Sequence, residues 1–147
     1  MNMVRIGDPV RRDEDYRLIK GHGRYADDVN ENRQARAFVL RSPHAHAEIG
    51  HIDKAAALAA PGVLAVLTGD DLETRGLGAQ FPNIRGKKSD GSPGYVCSMP
   101  ILAQGRVRFA GQPVAFVVAE SVDQAKDAVE LIAVDYRVLP AVITADD

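Results

Sequence analysis

At 147 residues, with 46% apolar side chains, the chain has the bulk of one domain able to bury a core without disulfides or a structural metal. Eighteen basic against twenty acidic side chains leave a formal charge of -2, without the basic excess that would select nucleic acid or an anionic lipid surface. The single cysteine, Cys97, excludes an internal disulfide and suits a reducing compartment, so the cytoplasm is the expected location.

Residues 1–29 are rich in charge and glycine, with Gly21, Gly23 and the pair Asp27-Asp28, and predict an extended lead-in with turns that lies over a neighbouring surface. The opening MNMVRIGDPVRRDEDYR carries charge but no apolar core, so it does not read as a secretory signal. The domain proper is placed at residues 30–147. Ala35 to Arg41 (ARAFVLR) predicts a strand broken by Pro43, and Ala45 to Ile52 predicts another. Asp53 then caps a brief alanine-rich helix that ends at Pro61-Gly62. The most apolar window, Ala55 to Leu67, is interrupted there and is too short to span a bilayer, so no membrane role is expected. Val63 to Leu67 predicts a buried strand. Thr68 with Asp71 marks a helix start, with acid where the helix dipole favours it.

Over residues 73–100, Gly76, Gly78, Gly86, Gly91 and Gly94 with Pro82, Pro93 and Pro100 predict a loop with little regular structure. A polar loop of this length inside a domain is more often functional or disordered than neutral filler. A short strand, PILA, is expected after it, and Gly111-Gln112-Pro113 is read as the turn into the central strand, with proline first where its missing N–H costs little.

From Val114 the pattern sharpens. Val114 to Ala119 is a continuous apolar run suited to a strand covered on both faces, and Ser121 with Gln124 forms a capping box. Ala125, Ala128, Val129 and Ile132 follow at helical spacing as one apolar stripe, with Asp123, Lys126, Asp127 and Glu130 turned to water. Val134, Tyr136 and Val138 alternate with Asp135 and Arg137, which is strand periodicity with one wet face. The endings VLTGDD (Val66 to Asp71) and VITADD (Val142 to Asp147) echo each other too weakly to define a repeat.

Three blocks, RRDEDYRLIKGHGRYADDV, RSPHAHAEIGHIDKAAALAAPGVLAVLTGDDL and GRVRFAGQPVAFVVAESVDQAKDAVELIAVDYRVLP, together closely resemble the N-terminal a/b hammerhead domain of the molybdenum hydroxylases. That family comprises the xanthine dehydrogenase, aldehyde oxidase and carbon monoxide dehydrogenase large subunits. The likeness covers nearly the whole chain in the same block order. It implies an α+β fold, with a mixed or largely antiparallel sheet and helices packed against it. For the complete enzyme it implies oxidation of an aldehyde, an N-heterocycle or carbon monoxide with oxygen from water. The molybdopterin contacts and the catalytic glutamate of such enzymes lie much further along the chain, so the expectation is a scaffold that helps to shape the substrate channel and has no catalytic residues. No cofactor is expected to bind this chain itself; molybdopterin, 2Fe–2S clusters and FAD belong to the complete enzyme. The expected partners are the molybdopterin-binding remainder of the large subunit and the FAD and iron–sulfur subunits. The resemblance places Tyr95 and Val96 where family members line the funnel to the molybdenum, making them the substrate-channel candidates. The alternative reading is a free-standing interaction module with the same fold and no redox role.

The remaining constellations read as structure. On a strand, His44, His46 and Glu48 would share one face as a zinc-like donor set, but no second element closes a tetrahedron, so a polar strand face is preferred to a metal site. Val96-Cys97-Ser98 is similar to a cysteine–serine pair in the active-site loop of the carbon-monoxide-oxidising members. That loop belongs to the later molybdenum domain and its flanks differ, so Cys97 is assigned no catalytic role. Asp27-Asp28, Asp70-Asp71 and Asp146-Asp147 lack the alternating oxygen ligands of a calcium loop and read as capping or solvated acids. Gly21-His22-Gly23 precedes no capped helix and cradles no phosphate, and Arg85-Gly86-Lys87-Lys88, balanced by Asp90, reads as a solvated loop.

Overall fold

The computed structural model describes residues 6, 7, 9, 12–77, 79–82, 86–142 and 144, and the chain divides into two compact units, Met1–Gln34 and Ala35–Asp147. The first unit is less extended than its composition suggests. It contains the short helix α1 (Asp15–Ile19) and a single 3-10 turn at Ala26–Asp28, closed by the Asp28 carboxylate accepting the Tyr25 N–H at 2.9 Å. Neither element buries a residue.

The second unit carries two three-stranded sheets. One has the order β1 (Arg36–Arg41), β5 (Pro113–Ala119), β3 (Val63–Thr68), and the other β4 (Arg106–Val107), β2 (Ala47–Asp53), β6 (Ala133–Val138). Three helices, α2 (Ala55–Leu58), α3 (Gly69–Thr74) and α4 (Val122–Glu130), complete it. Every ladder among the described residues is antiparallel, which resolves the expected mixed or largely antiparallel sheet into the latter form.

The central strand β5 organises both cores. Ala115, Val117 and Ala119 are fully buried against Ala125, Ala128, Val129 and Ile132, the stripe expected on α4. Val114, on the other face, joins Ala47, Ala103 and Val107 in a second cluster under the smaller sheet. Helix α4 starts as its sequence indicates, with the Ser121 hydroxyl accepting the Gln124 N–H at 3.2 Å. The reciprocal half of the box differs, because the Ser121 hydroxyl donates to the Gln124 side-chain oxygen at 3.0 Å. At α3 both halves form, and the Asp71 carboxylate accepts from the Thr68 N–H at 2.7 Å.

Several expectations need correction. Strand β5 is not covered on both faces throughout, since Phe116 and Val118 remain half-buried beside Val39 and Leu67. Strand β3 lies at a sheet edge and buries only Val66 and Thr68, leaving Leu64 57% exposed. The segment Pro100 to Ala103 is not a strand. It bends through Ile101 and Leu102 and ties in through the Ala103 N–H to the Pro113 carbonyl at 2.8 Å. Val138 ends β6 in solvent, because only Val134 and Tyr136 have a core opposite them. The cap of α2 is displaced by one residue: Lys54 is the flanking position, and the Asp53 carboxylate accepts the Ala55 N–H at 3.0 Å.

Candidate functional site

Tyr95 and Val96 lie in the long loop, where the structure gives little regular backbone. Its described part is pinned at two places. Gln80 and Met99 exchange a pair of backbone hydrogen bonds of 2.8 and 2.9 Å, and the Gly94 N–H donates to the Gly86 carbonyl at 2.8 Å. Between them Asp90 folds a small turn, its carboxylate accepting the hydroxyl and N–H of Ser92, and these two bonds hold it below the usual carboxylate range. Tyr95 projects from this loop at 90% exposure, while Val96 is half-buried. Phe81, Met99 and Ile101 are exposed near its two ends, so the loop presents apolar groups that this unit leaves uncovered. At its base a small cleft of about 160 Å³ is lined by Leu72, Leu77, Ala79, Pro100, Ile101 and Leu102, among others.

A second cleft of about 380 Å³ opens where β2, β3 and α3 meet. Strand β2 carries a register shift between Ile49 and Ile52 that turns Gly50 and His51 toward this opening. On its wall the Lys54 ammonium meets the Asp71 carboxylate at 2.5 Å and also reaches the Val66 carbonyl. The lysine bond, set against partial burial and aided by two bonds from Thr68, lowers the Asp71 carboxyl to about 2. Gly69 faces the backbone of the next segment, where a Cβ would stand 2.6 Å from the Ala103 oxygen. Ion pair and cap are both satisfied, and the arrangement holds elements together.

The tempting histidines disperse. His44 precedes β2 and packs edge-on against the Tyr136 ring, with centroids 5.0 Å apart. The His46 Nδ1 lies 2.6 Å from the Pro140 carbonyl oxygen. Glu48, between the two outer strands, is bound by the guanidinium groups of Arg137 and Arg106, the latter at 3.3 Å. Arg137 is the larger cause of its lowered carboxyl pKa. Among the described residues no three His, Cys, Asp or Glu side chains are grouped to hold a metal. Cys97 is a free, exposed thiol. Asp28 and Asp71 cap helical turns, Asp70 is exposed, and Asp146, Asp147 and Arg85 lie outside the described residues.

A polar junction went unnoticed in the sequence. Ser42 and Gln112 are buried, and the Ser42 N–H donates to the Gln112 carbonyl while the Gly111 N–H donates to the Ser42 carbonyl at 2.8 Å. The Gln112 side-chain oxygen accepts the Arg108 N–H at 2.7 Å. Ser42 sits directly before Pro43, where a strand end already called for a turn residue, and that position was the available signal.

Two separate antiparallel three-stranded sheets, the larger built around the apolar strand β5 with α2 and α4 packed against one face, define an α+β domain of hammerhead type. The family model described as aldehyde oxidase and xanthine dehydrogenase, a/b hammerhead domain, matches residues 20–140, and the chain belongs to that family. It is 41% identical to the nicotine 6-hydroxylase large subunit of Paenarthrobacter nicotinovorans, across 94% of this chain and 16% of that one. It is likewise 41% identical to the carbon monoxide dehydrogenase large chain of Afipia carboxidovorans, again across 94% and 16%. Among solved structures, Cu,Mo-CO dehydrogenase superposes with a TM-score of 0.78 at 40% identity, covering 94% of this chain and 16% of that one. Quinoline 2-oxidoreductase from Pseudomonas putida 86 gives 0.77 at 40% identity, covering 95% and 17%. The chain thus spans 16% of the length of each of these two curated relatives. No helix among the described residues is long and apolar enough to cross a membrane.

Proposed function

We propose that this chain is the N-terminal domain, or a detached N-terminal subunit, of a cytoplasmic molybdenum-dependent hydroxylase large subunit, and that it acts there as a scaffold. The observation that carries the reading is the half-open face of the larger sheet. Phe116 and Val118 of β5, with Val39 of β1 and Leu67 of β3 on either side of Phe116, are half-buried apolar neighbours on one face, and the composition of β5 asks for cover on both sides. A body several times larger, such as the rest of the relatives' length, supplies that cover. Tyr95 and Val96 then stand at the border of the substrate path, where an exposed phenol ring and an aliphatic neighbour select by shape.

Molybdopterin, 2Fe–2S clusters and FAD would supply the redox chemistry, and they are assigned to the remainder of the large subunit and to partner subunits. Among the described residues, His44, His46, Glu48 and Asp71 are engaged in ring packing, a backbone contact, a cross-strand ion pair and a helix cap. The chain's part is to bind, to orient the loop and to exclude water from the sheet face.

Affinity purification from the native host tests the reading. The expected product is a polypeptide or complex several times larger than 15.8 kDa that holds molybdenum in proportion to this domain. A lone 15.8 kDa species without a molybdenum-bearing partner, or one that oxidises a substrate unaided, overturns it.

A further inference from the structure

Resting on that reading, we propose that the free edge of β1 receives an extended segment of the large-subunit remainder as an added strand, with a carboxylate placed near Arg41. Strand β1 is outermost in its sheet and is paired on its β5 side. Beside its other side runs a groove of about 430 Å³ lined by Ala37, Phe38, Val39, Leu40, Arg41 and, from α4, Val129. Natural edges are normally blunted by proline, an inward charge, a bulge or extreme shortness. Strand β1 has six residues, a central Ala37-Phe38-Val39-Leu40 run without any of these devices, and a register shift only at its end, between Leu40 and Arg41. Such an edge offers main-chain donors and acceptors for affinity and alternating apolar pockets for fit.

Charge chooses among the occupants. The Lys126 ammonium stands 5.9 Å from the Phe38 ring centre above the groove, and the Arg41 guanidinium donates to the Gly111 carbonyl at 2.9 Å. Neither cation has a carboxylate partner among the described residues. A second copy of the chain fits poorly. Its β1, RAFVLR, carries no acidic residue, so the antiparallel register that pairs all six residues brings no carboxylate to Arg41. An acidic segment meets both cations.

Hydrogen exchange of the chain alone and in its native complex, with the affinity of the remainder for charge variants, tests the assignment. In the complex, the β1 amides that β5 leaves unpaired should gain at least tenfold protection. Arg41→Glu and Lys126→Glu should each weaken association at least tenfold, while Arg41→Lys keeps it, separating charge from the bond to Gly111. Normal association without new β1 protection, or with both glutamate variants unimpaired, overturns the strand addition and leaves the scaffold reading standing. Full β1 protection in the chain alone, or a dimer whose formation protects the β1 amides, also overturns it by naming another occupant. Failure to form any complex overturns both.

Discussion

Lys54 and Asp71 stand 17 residues apart in sequence and 2.5 Å apart in space, and the same carboxylate oxygen also accepts the N–H and hydroxyl of Thr68. One side chain therefore caps α3 and ties it to the end of β2. Removing it leaves a helix start uncapped and an ammonium facing a cleft. Asp71→Ala should cost about 1–2 kcal/mol in urea unfolding, the sum of a lost cap and a modest, partly solvated ion pair. Lys54→Met, which spares the cap, should cost less than half of that. Equal costs for the two variants would show that the cap is not the larger contribution.

The same carboxyl gives the fold an acid limb. Its pKa falls from an ordinary 3.8 when unfolded to about 2 when folded, so its stabilisation is complete above about pH 5 and is lost as pH drops through 4 toward 2. Because the group is partly open to water, about 1 kcal/mol is at stake. Wild type should lose stability across that window relative to Asp71→Asn, the two curves converging at the acid end. Parallel curves from pH 6 to pH 2 would count against it.

Gly62 is the point where backbone geometry and a side chain exclude each other. Its φ is +75°, and a Cβ would fall 2.2 Å from the Gln124 amide, while the Gly62 carbonyl accepts the Glu120 N–H at 2.9 Å. Gly62→Ala should cost about 1–2 kcal/mol by thermal unfolding. Adding Gln124→Ala should return the steric part only, since the left-handed φ is unfavourable for alanine with or without a neighbour. Full recovery in the double variant would assign the whole cost to the clash.

How far the sequence reached follows from what each signal encodes. The α4 stripe, the Ser121 and Asp71 caps and the β5 run were legible because they are local: periodicity and capping chemistry occupy fewer than a dozen residues. Leu64 and Val138 were misjudged because exposure depends on which strand lies at an edge, and Phe116, on the central strand, because it depends on which sheet face has an element packed against it; no single segment carries either. The His44, His46, Glu48 set failed differently. The strand begins only at Ala47, so His44 never shares its pleat, and Arg106 and Arg137, which bind Glu48, come from strands 58 and 89 residues away.

If the proposed role holds, Tyr95→Ala in the molybdenum-bearing complex should change the choice of substrate more than the chemistry. A ring 90% exposed on this unit contributes little to its stability, so the variant should unfold within about 0.5 kcal/mol of wild type. If the loop borders the path to the molybdenum, KM for bulky substrates should shift severalfold with kcat for the smallest nearly unchanged. Unaltered kinetics across a substrate series would remove Tyr95 from the channel.

Tyr136 carries the one buried side-chain polar atom found without a hydrogen bond among the described residues, its phenol oxygen. Burial pushes its pKa up, and the neighbouring Ser42 hydroxyl, which opposes that rise, is itself engaged as donor to the His44 carbonyl and acceptor of the His44 N–H. The ring, by contrast, is well placed between His44 and the second core cluster. An unpaired buried hydroxyl costs about 1–3 kcal/mol of desolvation, so deleting it while keeping the ring should be neutral or stabilising by about 1 kcal/mol. Tyr136→Phe should therefore unfold at equal or higher denaturant concentration than wild type, and Tyr136→Ala should fall by about 3 kcal/mol as the cluster loses its ring. A clear loss of stability in Tyr136→Phe would mean that the hydroxyl has a partner worth more than its desolvation, with Ser42 the first residue to test by a double-mutant cycle.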